Sequence, residues 1–185
     1  MKSYDPLEPN RLTVPVTQRD HIRGPLDAST TLVEYGDYEC PACGAAYPLT
    51  EALLDALSDQ VCFAYRHFPL ISAHPHAEHA AEACESAGVQ HRYWEMHDTL
   101  FRNQDALEDE DLARYAAALH LNLQVFIQDV MRSAYSDRIR EDFGSGVRSG
   151  VNGTPTFFIN DVRYDGPRDL DSMITALTEE APAPP

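Results

Sequence analysis

The chain has 185 residues, enough to bury an ample core and about the length of one domain, or of one domain with an insertion. Thirty acidic against 14 basic side chains leave a formal charge of −16, which repels phosphate backbones and anionic lipid, so neither nucleic-acid nor membrane binding is expected. No apolar run reaches the roughly 18 residues that a membrane helix needs.

Residues 1–22 carry prolines and charges with little periodicity and read as an N-terminal arm. The first ten residues show neither the apolar stretch nor the small-residue cleavage site of a secretory signal, so a cytoplasmic location is expected. Leu12 to Val16 is strand-like in composition, but Pro15 confines it to a sheet edge or rules it out. Gly24-Pro25 to Ser29 reads as a turn.

Thr31 to Tyr35 predicts a short buried strand with Glu34 inside it. Gly36 and Asp37 then loop into Tyr38-Glu39-Cys40-Pro41-Ala42-Cys43. Two thiols two residues apart, where a strand ends and a helix begins, suit a redox site. Positions three apart share one helix face, so the two sulfurs can meet. Cys40 falls at the N-cap, where unpaired helix N–H groups favour a thiolate and lower its pKa. Pro41 suits the first helical position, which needs no N–H. Cys43 lies one turn inside, shielded, as a resolving thiol. Half a zinc site is the competing reading, but no second cysteine pair follows at finger-like spacing. Coincidence is the other.

The helix continues to Leu57 with Ala46, Leu49, Leu53, Leu54 and Leu57 at helical spacing, and Pro48 inside it predicts a bend. Val61 to Phe68 is a second strand, ended by Pro69. Strand, helix and strand make one βαβ unit with a right-handed crossover. From His74 to about Ser149 five apolar stripes predict helices only, broken at Gly88, at Asn103 to Asp109, at His120 to Asn122 and near Ser133. The fourth stripe is Leu123, Phe126, Ile127, Val130 and Met131, and the fifth is Ile139, Phe143 and Val147.

Among side chains with possible chemistry, Cys62 and Cys84 read as buried filler, with a second disulfide as the alternative. His74, His76 and His79 read as polar residues at a helix start; His76 and His79, at i and i+3, also suit a metal pair. His67 ends the second strand and is assigned no role. Trp94, Tyr93 and Phe101 read as core, and the acids from Glu108 to Asp111 as a solvated helix start. After Gly150, Thr156 to Ile159 and Val162 to Tyr164 form a hairpin about Asn160-Asp161. Asp169 caps a last helix, and residues 179–185 form a tail.

In this order, Glu34, Cys40-Pro41-Ala42-Cys43 and Gly153-Thr154-Pro155-Thr156-Phe157 resemble the thioredoxin superfamily. The helical block looks like its DsbA-like branch of thiol–disulfide oxidoreductases. The resemblance implies an α/β thioredoxin-like fold from residues 23–72 and 150–178, with an all-helical insertion at 73–149. It implies that Thr154-Pro155 is the family's cis-proline loop, beside the active disulfide, where the backbone of Thr154 pairs with substrate like an added strand. Pro41 and Ala42, between the cysteines, are taken as substrate-facing too. Glu34, if buried, has a raised pKa and takes the proton from Cys43 through a water; the alternative is an edge-facing surface side chain.

The expected activity is thiol–disulfide exchange on protein substrates, with Cys40 as nucleophile and Cys43 resolving, no cofactor and no metal, and a redox partner that recycles the couple. The best-known oxidant of the branch has Pro-His between its cysteines. Ala42 brings no such positive charge, so a weaker oxidant is expected. Two other classes remain: a non-catalytic peptide-binding or holdase module, and a glutathione-dependent isomerase or transferase. The intact cysteine pair speaks against the second.

Overall fold

In the computed structural model, which describes residues 10–179, strand β2 (Thr30–Gly36) is buried continuously from Leu32 to Gly36. That is the signature of a central strand rather than of one with a wet face. Helix α1 (Pro41–Leu57) leads from it to β3 (Val61–His67), which is buried along its whole length. The five-stranded sheet runs β1–β3–β2–β4–β5, with β1 at His21–Arg23, β4 at Thr156–Ile159 and β5 at Val162–Tyr164. The β1–β3, β2–β4 and β4–β5 pairs are antiparallel, and the central β3–β2 pair makes the sheet mixed.

The chain divides into two compact units. The sheet unit holds the residues up to Tyr35, Ala46–Arg66 and those from Gly144 on. The helical unit holds Gly36–Ala45 and His67–Phe143.

In the sheet unit, Asn160 and Asp161 both adopt positive φ (48° and 69°), the backbone of a two-residue hairpin turn that twists with its strands. The Asn160 side chain then accepts the N–H of Thr31 at 2.9 Å. Helix α7 (Leu170–Thr178) buries Met173 and Leu177, and the Asp169 carboxylate caps it from the N–H of Ser172 at 2.9 Å. Leu12 to Val16 forms no strand. Arg11 makes an isolated bridge to Val162, and Leu12 N–H donates to the Asp161 carbonyl. One edge strand is β1, three residues without alternation that pair with β3. A buried Arg66 holds the neighbouring segment, donating to Asp20 (2.7 Å), to the carbonyls of Val14 (2.8 Å) and Pro15 (3.1 Å), and to the Tyr35 hydroxyl (3.0 Å). The first nine residues of the arm and residues 180–185 of the tail lie outside the described residues.

The helical unit holds α2 (Ala77–Val89), α3 (Tyr93–Arg102), α4 (Asp109–Ala118), α5 (Leu123–Met131) and the first part of α6 (Ser136–Arg148). Helix α4 starts from a reciprocal capping box between Glu108 and Asp111, so these acids cap a helix. The fourth stripe is only partly core: Phe126 and Val130 are buried, whereas Leu123, Ile127 and Met131 are exposed. Val147, of the fifth stripe, is exposed too. The α5 sequence is apolar most of the way round, and a nine-residue helix has one side to bury.

Polar groups run through this core. His67 donates from Nε2 to Glu85 at 2.8 Å and from its N–H to Asp142 at 3.2 Å, and Arg138 donates to Asp142 at 2.9 Å. Glu82 is fully buried; its Oε2 accepts the N–H of Tyr135 at 2.8 Å, while Oε1 has no partner among the described residues. Burial, reinforced by the charges of Glu78 and Glu85 and opposed by the Tyr135 N–H, pushes its carboxyl up from 4.5 to about 6.

Between those two values the folded chain holds a proton that the unfolded chain has released, so stability falls as the pH rises through that window. Glu82→Gln removes the ionisation, and its unfolding free energy at pH 7 should exceed the wild type's by about 1–2 kcal/mol. Denaturant titrations at pH 4 and pH 7 check this, because the advantage should vanish at the lower pH.

Candidate active site

The residues of the Cys-x-x-Cys turn take their positions from one buried carboxylate. Asp37 follows β2, and its side chain is closed off from solvent. Its Oδ1 accepts the N–H of Glu39 at 2.8 Å. Its Oδ2 accepts the N–H of Leu70 and the Nδ1–H of His74, each at 2.8 Å. Its carbonyl accepts the N–H of Cys40 at 3.2 Å. A buried charge without such donors would cost several kcal/mol, so the three segments are tied to it.

Cys40 is the residue before α1, and its carbonyl accepts the N–H groups of Cys43 (3.0 Å) and Gly44 (3.1 Å). It is therefore the N-cap that the sequence predicts, with Pro41 first in the helix. Cys43 lies in the first turn and is fully enclosed, while Cys40 keeps 7% of its surface. Cys40 is thus the more accessible of the two. Helix α1 is continuous through Pro48.

Gln104, in the segment between α3 and α4, braces this turn. Its Nε2 donates to the carbonyls of Tyr38 (2.8 Å) and Cys40 (2.9 Å). Gly44 makes room for it: a Cβ there would lie 1.7 Å from Gln104 Oε1. The Tyr38 hydroxyl sits 3.0 Å from both Cys84 Sγ and His97 Nδ1, which fixes the other side of the loop.

His74, His76 and His79 each face a carboxylate of their own. His76 Nδ1 lies 3.1 Å from Glu39 Oε1, and the His76 N–H donates to Glu39 Oε2 at 2.6 Å. His79 donates to Asp109 at 2.6 Å. Among the described residues no group of His, Cys, Asp and Glu is gathered to hold a metal ion. His74 is the one bound to Asp37, before the Cys-x-x-Cys turn. Burial opposes its charged form, but the hydrogen bond and charge of Asp37, with further negative charge at Cys40 and Glu39, outweigh burial and raise its pKa above the ordinary histidine value.

The sheet unit carries the other sequence-predicted residues. Glu34 is buried in β2, and Thr50 Oγ1 donates to its Oε2 at 3.4 Å. In the β2–β4 register it stands opposite Phe157, two residues beyond Pro155. The Thr154–Pro155 peptide is cis, with Pro155 buried and Thr154 half-buried. Cys62 and Cys84 are both fully buried, and burial pushes each thiol up, the charge of Asp20 adding to it at Cys62. A raised pKa disfavours the thiolate at both.

Asp37, Gln104 and Gly44 escape the sequence reading, as does the placement of His74. The signal present in the sequence is weak: an Asp before a Cys-x-x-Cys and a Gly after it.

The sequence matches the Thioredoxin family over residues 16–179. It is 45% identical over 168 residues to Na(+)/H(+) antiporter NhaA 3 of Salinispora tropica, a stretch covering 90% of this chain and 26% of that protein. A Mycobacterium protein named Na(+)/H(+) antiporter NhaA 1 is also 45% identical, over 93% of this chain and 29% of its own length. The chain thus spans about a quarter of the length of the curated relatives it matches. Among solved structures, oxidised BdbD from Bacillus subtilis superposes with a TM-score of 0.77 at 20% identity, covering 92% of this chain and 97% of that one. The thiol-disulfide exchange protein alpha-DsbA2 from Wolbachia pipientis superposes at 0.75 and 19% identity, covering 88% and 87%. At such identities the likeness is one of fold.

Gln104→Ala, which loses two hydrogen bonds at the Cys-x-x-Cys turn, should cost about 1–3 kcal/mol of unfolding free energy. Gly44→Ala should cost a similar amount, because it pushes Gln104 out, less the roughly 1 kcal/mol that Ala gains over Gly in a helix. The double variant should be no less stable than Gln104→Ala alone. A double-mutant cycle by denaturant unfolding checks the coupling.

Proposed function

The chain belongs to the thioredoxin family, with a fold of the DsbA-like kind, and we propose that it exchanges disulfides with protein substrates through Cys40 and Cys43. One observation carries the reading: a Cys-x-x-Cys pair on the first turn of a 17-residue helix, with Cys40 as the N-cap and the more accessible of the two. Pro41 has no N–H, and the N–H of Cys43 is used within the turn, so the N–H of Ala42 is left over from the helix ladder. A helix start of this kind favours thiolate at Cys40.

In the oxidising direction, a substrate thiolate attacks Sγ of Cys40. The Cys40–Cys43 bond breaks, and Cys43 leaves as a thiolate that takes up a proton. A second substrate thiolate then attacks the substrate sulfur of the mixed disulfide and releases Cys40 as a thiolate. Two electrons pass from the substrate to the couple, and the substrate gains one disulfide. Run backwards, the same steps reduce a substrate disulfide, with Cys43 deprotonated as it attacks.

From the resemblance we assign Glu34 to carry the Cys43 proton, Thr154 and Pro155 to hold the substrate backbone, and Pro41 and Ala42 to face the substrate. The surroundings set the direction: in a reducing cytoplasm the couple rests mostly reduced and acts as reductase or isomerase, and in an oxidising compartment it acts as oxidase. A second redox protein recycles it. The antiporter names belong to whole proteins of which the shared stretch is about a quarter, and ion antiport forms no part of the proposal.

The test is insulin reduction with dithiothreitol, together with trapping. Cys40→Ser should abolish turnover, and Cys43→Ser should accumulate a mixed disulfide at Cys40 with substrate. Full activity in Cys40→Ser would favour a peptide-binding holdase instead. Glutathione conjugation without disulfide exchange would favour the transferase class.

A further inference from the structure

We infer that His74, anchored on the buried Asp37 carboxylate, supplies the positive charge that stabilises the Cys40 thiolate and so sets the oxidising strength of the couple. The inference rests on the proposed exchange reaction and names a residue outside the Cys-x-x-Cys motif that tunes it.

The geometry comes first. His74 enters from the segment between β3 and α2, 34 residues after Cys40 in the sequence. Its Nδ1–H is fixed at 2.8 Å on Asp37 Oδ2, and the carbonyl of the same Asp37 accepts the Cys40 N–H at 3.2 Å. One residue therefore holds both the imidazole and the cysteine. The His74 backbone is fixed as well, its N–H donating to the Leu70 carbonyl at 2.9 Å, and the Leu70 N–H returns to Asp37 Oδ2. The His74 side chain keeps 17% of its surface, while that of Asp37 is shut away from solvent.

The charges facing His74 are all negative or neutral. Asp37 and Glu39 come from the loop before α1, Cys40 from the helix start, and His76, two residues on, is taken up by Glu39. Among these, a protonated His74 is the cation able to offset them. The charge at Cys40 is itself one of the influences that raise His74's pKa, and linkage requires the reverse: protonated His74 lowers the energy of the Cys40 thiolate by the same amount.

Stabilising the thiolate stabilises the reduced form, so the couple becomes a stronger oxidant. The weakness expected from Ala42 is thereby offset by a charge the motif does not show. Oxidising strength should also fall as the pH rises through the His74 transition.

A purely structural histidine would hold the loop but leave the redox equilibrium indifferent to its protonation. The decisive measurement is made on the wild type: the pH titration of the His74 ring by NMR, in the oxidised and in the reduced protein. Because the Cys40 thiolate exists only in the reduced state, the His74 midpoint should lie about one pH unit higher there. In parallel, the 240 nm thiolate titration of Cys40 should move up by about one unit in His74→Gln, and the equilibrium constant for oxidising glutathione should fall roughly tenfold. His74→Lys, which keeps a cation, should recover a good part of both. Identical His74 midpoints in the two redox states overturn the inference, even if His74→Gln fails to fold. A folded His74→Gln with an unchanged equilibrium constant also overturns it, while leaving disulfide exchange standing. Failure to form any reversible Cys40–Cys43 disulfide removes the exchange reaction and this inference with it.

Discussion

A carboxylate taken out of water has to be met by donors, and in this chain Asp37 is met by four groups in three places. The Glu39 N–H and, through the Asp37 carbonyl, the Cys40 N–H set the approach to α1. The Leu70 N–H sets the turn after β3, and His74 sets the approach to α2. None of these segments is a helix or a strand with its own hydrogen-bond ladder. Their order depends on the charge they share, and the thiol at the head of α1 inherits its position from them.

The brace by Gln104 works in the same spirit on neutral groups. Two carbonyls of the turn, those of Tyr38 and Cys40, point to one amide that can reach them only because residue 44 lacks a side chain. The turn is thus held from both sides. The buried His67, Glu82, Glu85 and Asp142 and the half-buried Arg138 belong to the same helical unit.

What the sequence made legible was local. The helix start at Cys40-Pro41, the hairpin turn at Asn160-Asp161 and the cap at Asp169 each follow from residues within four positions of one another. The five inserted helices follow from apolar periodicity. What stayed hidden depends on distance along the chain. His74 is 37 residues from the carboxylate that fixes it, and Gln104 is 60 residues from Gly44. Strand β1 has three residues and no alternation, and is a strand because β3 offers it an edge. Ile127 and Met131 fit the helical period as well as Phe126 does, and periodicity alone does not say which side of an apolar helix is covered.

Disulfide exchange of the kind proposed needs Cys40, at the N-cap of α1, and Cys43, in its first turn, to be one reversible two-electron couple. Equilibrating the purified protein across a series of glutathione redox buffers, quenching with acid, and mapping thiols by mass spectrometry measures this directly. The expected result is a single disulfide joining Cys40 to Cys43, with one midpoint and complete reversal, while Cys62 and Cys84 stay reduced throughout. Thiols at Cys40 and Cys43 that persist in the most oxidising buffer, or a disulfide that recruits Cys62 or Cys84 instead, would contradict it.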